Sequence, residues 1–277
     1  MNNAELYQRS NTLQKRDALD CLEEYKKKLN WKNYETVIDI GCGDGSVTTG
    51  ILRKFLPNDF KQLIGCDISD KMIDYANMKH TSDYVKFIVM DIAGNLPDDM
   101  KGVFNHAFSF YTLHWIKQQE VTFRNIFKLL AEGGDCLLVF LGHMPVFDVY
   151  RILARSHRWR YWLKDVDKFI SPYHDSQDPE KEIRRMMCKI GFSSVEVQCR
   201  AKSFIYNGLD ALKRAVKAVN PFNLPEDCLD EFLEDYVSVV RDMKLIENDD
   251  NVESSVKVNT NYNLITVYGV KRTTLIT

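Results

Sequence analysis

The stretch DIGCGDG, residues 39–45, comes directly after the apolar residues Val37 and Ile38. Its glycines, Gly41, Gly43 and Gly45, alternate with other residues at what reads as the end of a short buried strand. Glycine in such a turn permits positive φ and lets a ligand touch the backbone. The nicotinamide fingerprint GxGxxG would need a third glycine at position 46, which is Ser46, and would set a diphosphate on the following helix N-terminus. The spacing here is DxGxGxG. Asp39, two residues before the first glycine, suits a cofactor carrying an amino group better than a diphosphate.

On both sides of this turn, strand-like and helix-like segments alternate. The patterning predicts one amphipathic helix over 4–29, with Leu13, Leu19, Leu22, Tyr25 and Leu29 on its apolar face. It predicts strands at Val37–Ile40, Gln62–Ile68, Val85–Met90, Phe104–Phe110 and Cys136–Leu141. Helices are expected over Ser46–Phe55, from the cap Ser69 to about Lys79, and over Ile116–Leu130, closed by Gly133-Gly134. After Gly142 come an aromatic-rich stretch (145–170), a helix over Pro179–Ile190 and a strand over Ser194–Tyr206. Helices over 208–220 and 225–246, a polar loop at Asn248–Asn251 and a last strand over Tyr262–Val270 follow. Repeated strand–helix units imply a parallel sheet with helices on both faces, which binds ligands at the carboxyl ends of its strands.

Composition narrows the classes. The 277 residues, 45% apolar and 27% charged, suit one elaborated α/β domain or two small ones. A net charge of −2 offers no global basic field for nucleic acid or an anionic membrane. Seven scattered cysteines without a CxxC pair read as reduced thiols of a cytosolic protein, with no disulfide or metal framework. The N-terminus lacks a basic and then apolar leader, and the longest apolar run, Cys136–Leu141, is too short to span a membrane. The expectation is a cytoplasmic protein with no membrane span, no metal and no nucleic-acid partner, for which a homodimer is allowed. The basic cluster Arg151, Arg155, Arg158 and Arg160 reads as a helix with snorkelling arginines.

Asp67 and Asp91 end the second and third strands. A carboxylate at the first position can accept ribose hydroxyls. One beside the apolar Ile92 can bind an adenine amino group. With Asp39, the glycine turn and Gly133-Gly134, this set resembles the class I S-adenosylmethionine-dependent methyltransferases over most of residues 35–142. The resemblance implies a Rossmann-like seven-stranded sheet, its last strand antiparallel, with a helical substrate-binding cap. It implies an N-terminal helical segment (1–33) closing the active site, a cofactor-binding core (34–142) and a helical insertion (143–192). The remaining strands then fall in 193–277, around an inserted helical pair at 208–246.

A more specific resemblance, to the insect juvenile hormone acid O-methyltransferases, runs nearly the full chain. It is carried by Leu6-Tyr7-Gln8, residues 13–19 and 39–47, Ser109 to Ile116, Phe140 to His143, Ser171 to His174 and Asn220 to Phe222. It implies methyl transfer from S-adenosylmethionine to the carboxylate of a farnesoic-type acid. The implied cofactor residues are Arg16, Asp39, Gly41, Cys42, Gly43, Asp67, Ile68, Met72, Asp91, Ile92 and Ser109. An ionised carboxylate needs no general base, and a strong cationic clamp would hold it back from transfer, so neutral donors suit it: Gln14, His114 and Trp115. Tyr111, Phe147, Tyr150 and Trp162, with the helices at 208–246, are the expected walls of an apolar slot. A paralogue acting on another acid, and a binding module without catalysis, are the rival readings.

Overall fold

The computed structural model describes residues 3–247 and 256–272. β1 (Thr36–Ile40) is buried along its whole length because it lies in the middle of the sheet, between β2 (Gln62–Asp67) and β4 (Phe104–Phe110). β3 (Val85–Val89) extends the sheet beyond β2, and β5 (Leu130–Leu141) lies beyond β4, all in parallel. β8 (Lys257–Lys271) then inserts antiparallel between β5 and β6 (Phe192–Asn207). The expected seven-strand path with an antiparallel last strand is therefore present, in the order β3-β2-β1-β4-β5-β8-β6. The two-residue β7 (Ile246–Glu247) adds an eighth strand against β8.

Side chains along each strand alternate between two cores. Val37, Phe108 and Val139 face one core, shared with α2 (Thr12–Tyr25), α6 (Pro145–Arg155), α8 (Leu209–Val219) and α9 (Leu229–Asp242). Ile38, Ala107 and Leu138 face the other, under α5 (Gln119–Leu129) and α7 (Pro179–Ile190). α7 has its expected ends, with the Asp178 carboxylate accepting the Lys181 N–H.

Several expected boundaries are corrected. The single helix over 4–29 is two, α1 (Ala4–Ser10) and α2, because Asn11 between them is not helical (φ −91°, ψ 33°). Leu19 is 45% exposed, while Asp17 takes the buried face instead. α3 (Ser46–Gly50) gives way to a 3₁₀ turn at Leu52–Phe55. Gly133-Gly134 do not end a helix; they lie in β5, where its register against β4 shifts. β6 and β8 both begin before the expected residues, and the loop at 248–251 falls outside the described residues. α4 (Asp70–His80) is capped by Ser69, as expected.

Away from the glycine turn, towards the other end of the sheet, His106 on β4 is buried between two carboxylates. Its Nδ1 is 2.7 Å from Asp135 and its Nε2 is 2.9 Å from Glu35. Burial alone would lower its pKa, but Asp135 and Glu35 outweigh that and hold it above the ordinary histidine range. The folded state thus binds this proton more tightly than the unfolded chain does. The resulting stabilisation is complete below about pH 6.5 and is lost as pH rises through the folded pKa. For His106→Gln, the stability deficit against wild type in denaturant melts should be larger at pH 6 than at pH 9. A deficit independent of pH would show that the histidine is not held protonated.

Candidate active site

The turn after β1 is built on backbone. Gly41 and Cys42 donate their N–H groups to the Cys66 carbonyl at 2.7 and 2.9 Å, locking the turn to the end of β2. Gly41 (φ +72°) carries a second constraint: a Cβ there would fall 2.0 Å from the Thr112 hydroxyl oxygen. At Gly43 (φ +55°) the N–H donates to Asp67 Oδ2 at 3.0 Å, and the other carboxylate oxygen accepts the Ser69 N–H at 2.9 Å. Asp67 therefore ties the turn to the cap of α4 as well as facing the cavity. Burial raises its pKa, against the pull of these N–H groups.

The cavity above this turn has a volume of about 320 Å³ and lies at the carboxyl ends of β1 to β4. Gly41, Gly43, Asp67, Ile68, Met72, Asp91 and Ile92 line it, together with Tyr7. Asp91 is exposed at the rim, Ile92 is buried beside it, and Ile68 is 68% exposed over the opening.

A second, narrower cavity of about 70 Å³ adjoins it. Its wall is largely apolar, drawn from α6 (Phe147, Val149), α8 (Leu212, Val216) and α9 (Tyr236, Val240), with Gln14 and His114 as polar members. Four residues line both cavities: Tyr7, Tyr111, Trp115 and Val219. Tyr111 sits at this junction in the left-handed region (φ +61°), a strained place for a side chain of its size. Its hydroxyl donates to the buried Asp17 at 2.5 Å.

His114 is buried, and desolvation depresses its pKa to about 3, so it is neutral at any working pH. The Leu141 N–H points at its Nδ1 at 3.4 Å, which assigns the remaining proton to Nε2. Gln14 makes no side-chain hydrogen bond among the described residues, and its Oε1 is buried without a partner. An unspent amide in an apolar wall calls for a ligand or water.

Other expected site residues lie elsewhere. Asp39 does not reach the cavity. It accepts the Thr48 hydroxyl at 2.6 Å beneath the turn, and burial pushes its pKa up to about 7. Cys42 and Ser109 are also packed below the surface, Ser109 donating to the Ile40 carbonyl at 2.8 Å. Arg16 lines neither cavity; it donates to Tyr262 at 2.6 Å and to the Ser203 carbonyl at 3.0 Å. Tyr150 stands one layer behind the slot, its ring against Tyr236 and Phe222. Trp162 is on the surface, 38% exposed and packed on Tyr161. The residues that sequence reasoning missed are Tyr7, Thr112, Met144 and Asp17. An acid inside the apolar face of a helix was the available signal for Asp17.

His143, Asp148 and His174 bring their ligand atoms within 4.8 Å of one another. The Met144 N–H points at His174 Nδ1 (3.4 Å), so Nε2 carries the proton and donates to Asp148 at 2.9 Å. That tautomer leaves His174 no free lone pair for a cation. The trio instead fastens the first turn of α6, where Met144 and Phe147 face the slot.

The family model described as "Methyltransferase domain" matches residues 37–134. Juvenile hormone acid O-methyltransferase of Bombyx mori is 55% identical over 98% of this chain and 98% of its own length. That of Drosophila melanogaster is 37% identical, over 98% and 93%. Among solved structures, phosphoethanolamine N-methyltransferase 2 of Haemonchus contortus, in complex with S-adenosyl-L-methionine, superposes with a TM-score of 0.55 at 17% identity. The match covers 93% of this chain and 52% of that one. At that identity the likeness shows the fold alone.

Asp67→Ala should weaken binding of S-adenosylhomocysteine by one to two orders of magnitude, since a hydrogen bond to a charged group contributes about 1.5–3 kcal/mol. It should also lower the melting temperature, because the Gly43 and Ser69 N–H groups lose their acceptor. Calorimetric titration giving unchanged affinity would remove Asp67 from the cofactor site.

Proposed function

The chain belongs to the juvenile hormone acid O-methyltransferases, and we propose that it moves the methyl group of S-adenosylmethionine onto the carboxylate of a farnesoic- or juvenile-hormone-type isoprenoid acid, giving the methyl ester. The observation that carries this reading is the meeting of the two cavities at Tyr7, Tyr111 and Trp115, with neutral Gln14 and His114 on the apolar side.

The residues fit the cofactor. Gly41 and Gly43 leave the backbone bare beneath a cavity of sufficient size, and Asp67 and Asp91 stand at successive strand ends. When bound, S-adenosylmethionine supplies an electrophilic methyl group on a positively charged sulfur, which an ionised carboxylate accepts without a general base. The protein's part is therefore placement, which can supply about 7–11 kcal/mol. Gln14 and the His114 Nε2–H are neutral donors that hold the acid's oxygens without quenching their charge. Trp115 and Tyr111 close the junction against water. The slot's 70 Å³ corresponds to roughly two waters at about 30 Å³ each. A fifteen-carbon chain must part its walls, and those walls are the helices α6, α8 and α9.

The pH dependence separates this mechanism from one with a catalytic base. The acid has a pKa of about 4–5, and His114, depressed to about 3, stays neutral throughout. The single-turnover rate should be flat from about pH 6.5 to 9, with no inflection near the ordinary histidine value. A steep basic limb would call for a general base and contradict the assignment.

Gln14→Ala and His114→Ala should each slow methyl transfer about tenfold, the worth of one hydrogen bond of about 1.4 kcal/mol. Cofactor affinity should stay within twofold. Across shortened acids, kcat/KM should fall several-fold per methylene. Equal efficiency for butyrate and farnesoic acid would promote a small-acid substrate instead.

A further inference from the structure

After α6 the chain folds back against α9. Trp159 and Leu163 are buried, and the Trp159 indole N–H donates to Asp235 at 2.8 Å. Anchoring these two residues turns Tyr161 and Trp162 outward, 69% and 38% exposed, their rings packed edge to face. Ile152, on the same face of α6 as Arg155, is also exposed.

Residues 151–168 carry six bases against two acids, in a chain whose net charge is −2. Both acids are engaged, Asp167 by Arg151 at 3.9 Å and Asp165 by Lys168 at 3.3 Å. Arg151 also pairs with Asp175, and Arg158 with Glu231 and Asp235. Arg155, Arg160 and Lys164 are left with no ion pair among the described residues, Lys164 lying over the Tyr161 ring at 5.8 Å. Of these cations, Lys164 lies over one of the two exposed rings and Arg160 directly precedes them in the chain, while Arg155 ends α6 on the same segment.

We propose that this surface docks the enzyme on an anionic lipid membrane, with Tyr161 and Trp162 at headgroup level and Arg155, Arg160 and Lys164 facing the lipid phosphates. Tyrosine and tryptophan favour that depth because one end of each ring system is apolar and the other wet. The free cations are attracted by the negative surface. The rest of the chain carries the surplus of acid and is repelled from it, which orients this face inward. A nucleic acid would call for a longer cationic stripe. α6, about 16 Å long, connects this surface to the wall of the acceptor slot. The surface stands on its own residues; only its usefulness rests on the proposed reaction, whose long-chain acid and neutral ester both partition into lipid.

Co-sedimentation of the full chain with sucrose-loaded vesicles tests this. Vesicles of phosphatidylcholine with 30 mol% phosphatidylserine should pellet the protein at 0.1 M salt. Pure phosphatidylcholine should not, and 0.5 M salt should release it. At roughly fivefold per cation, Arg160→Glu with Lys164→Glu should weaken binding at least 25-fold. Tyr161→Ser with Trp162→Ser should weaken it several-fold on the same vesicles. Melting temperature, and transfer to an acid presented in detergent, should stay near wild type in both variants. Equal recovery on neutral and anionic vesicles, recovery unaffected by the variants, or no recovery on either vesicle would each overturn the proposal; the last would leave the patch to a protein partner. Loss of methyl transfer in the wild type would count against the reaction and not against the surface.

Discussion

Asp17 holds a charge where water does not reach: its side chain is 0% exposed. A buried carboxylate costs several kcal/mol unless it is paired and hydrogen-bonded. Burial here pushes its pKa up, but hydrogen bonds from Lys202, Tyr111 and Tyr262 outweigh that and hold it below the usual carboxylate range. The Lys202 ammonium is 2.7 Å away, each tyrosine hydroxyl 2.5 Å and the Arg16 guanidinium 3.1 Å. These partners come from β6, from the turn after β4, from β8 and from α2 itself. One carboxylate therefore fastens α2 across the carboxyl end of the sheet. Gln14, one helical turn earlier, is thereby brought into the slot, and Tyr111 is held in its left-handed conformation where the cavities meet.

This explains which parts of the structure the sequence made legible. Local signals were reliable: the glycine turn, the strand-end aspartates, the Ser69 cap and the ends of α7 all depend on a few neighbouring residues. The break at Asn11 was not legible, because the apolar period of Leu13, Leu22 and Tyr25 lies wholly after it and no proline or glycine stands at the break. Gly133-Gly134 misled because a glycine pair that can close a helix can equally relax a strand register. Arg16 was placed in the site by resemblance and Tyr150 by its aromatic-rich stretch. The structure spends Arg16 on the Asp17 network and sets Tyr150 one layer back, and both arrangements are tertiary. Trp162 shows the limit of composition, since an aromatic-rich stretch does not say which rings face inward.

The two cavities differ in a way that suits their contents. The cavity over the glycine turn is lined by backbone and by the carboxylates Asp67 and Asp91, which suits a hydrogen-bonding ligand that carries positive charge. The narrower cavity has no charged group in its wall among the described residues; its polar members are an amide, an imidazole kept neutral by burial, and hydroxyls. On the proposed assignment, such a wall takes the anionic head of an amphipathic acid where that head meets positive charge from the cofactor. The apolar helices beyond then select for chain length. On the proposed assignment, specificity and rate come from one arrangement, in which the acid's charge is stabilised at the junction.

The most direct test is to follow the methyl group itself. Incubation with S-adenosylmethionine bearing a trideuterated methyl group and farnesoic acid should give a product that gains one labelled methyl. Mild alkaline hydrolysis should then release the label as methanol and return the original acid by mass spectrometry. Label that survives hydrolysis, or the absence of any labelled product, would contradict transfer to the carboxylate.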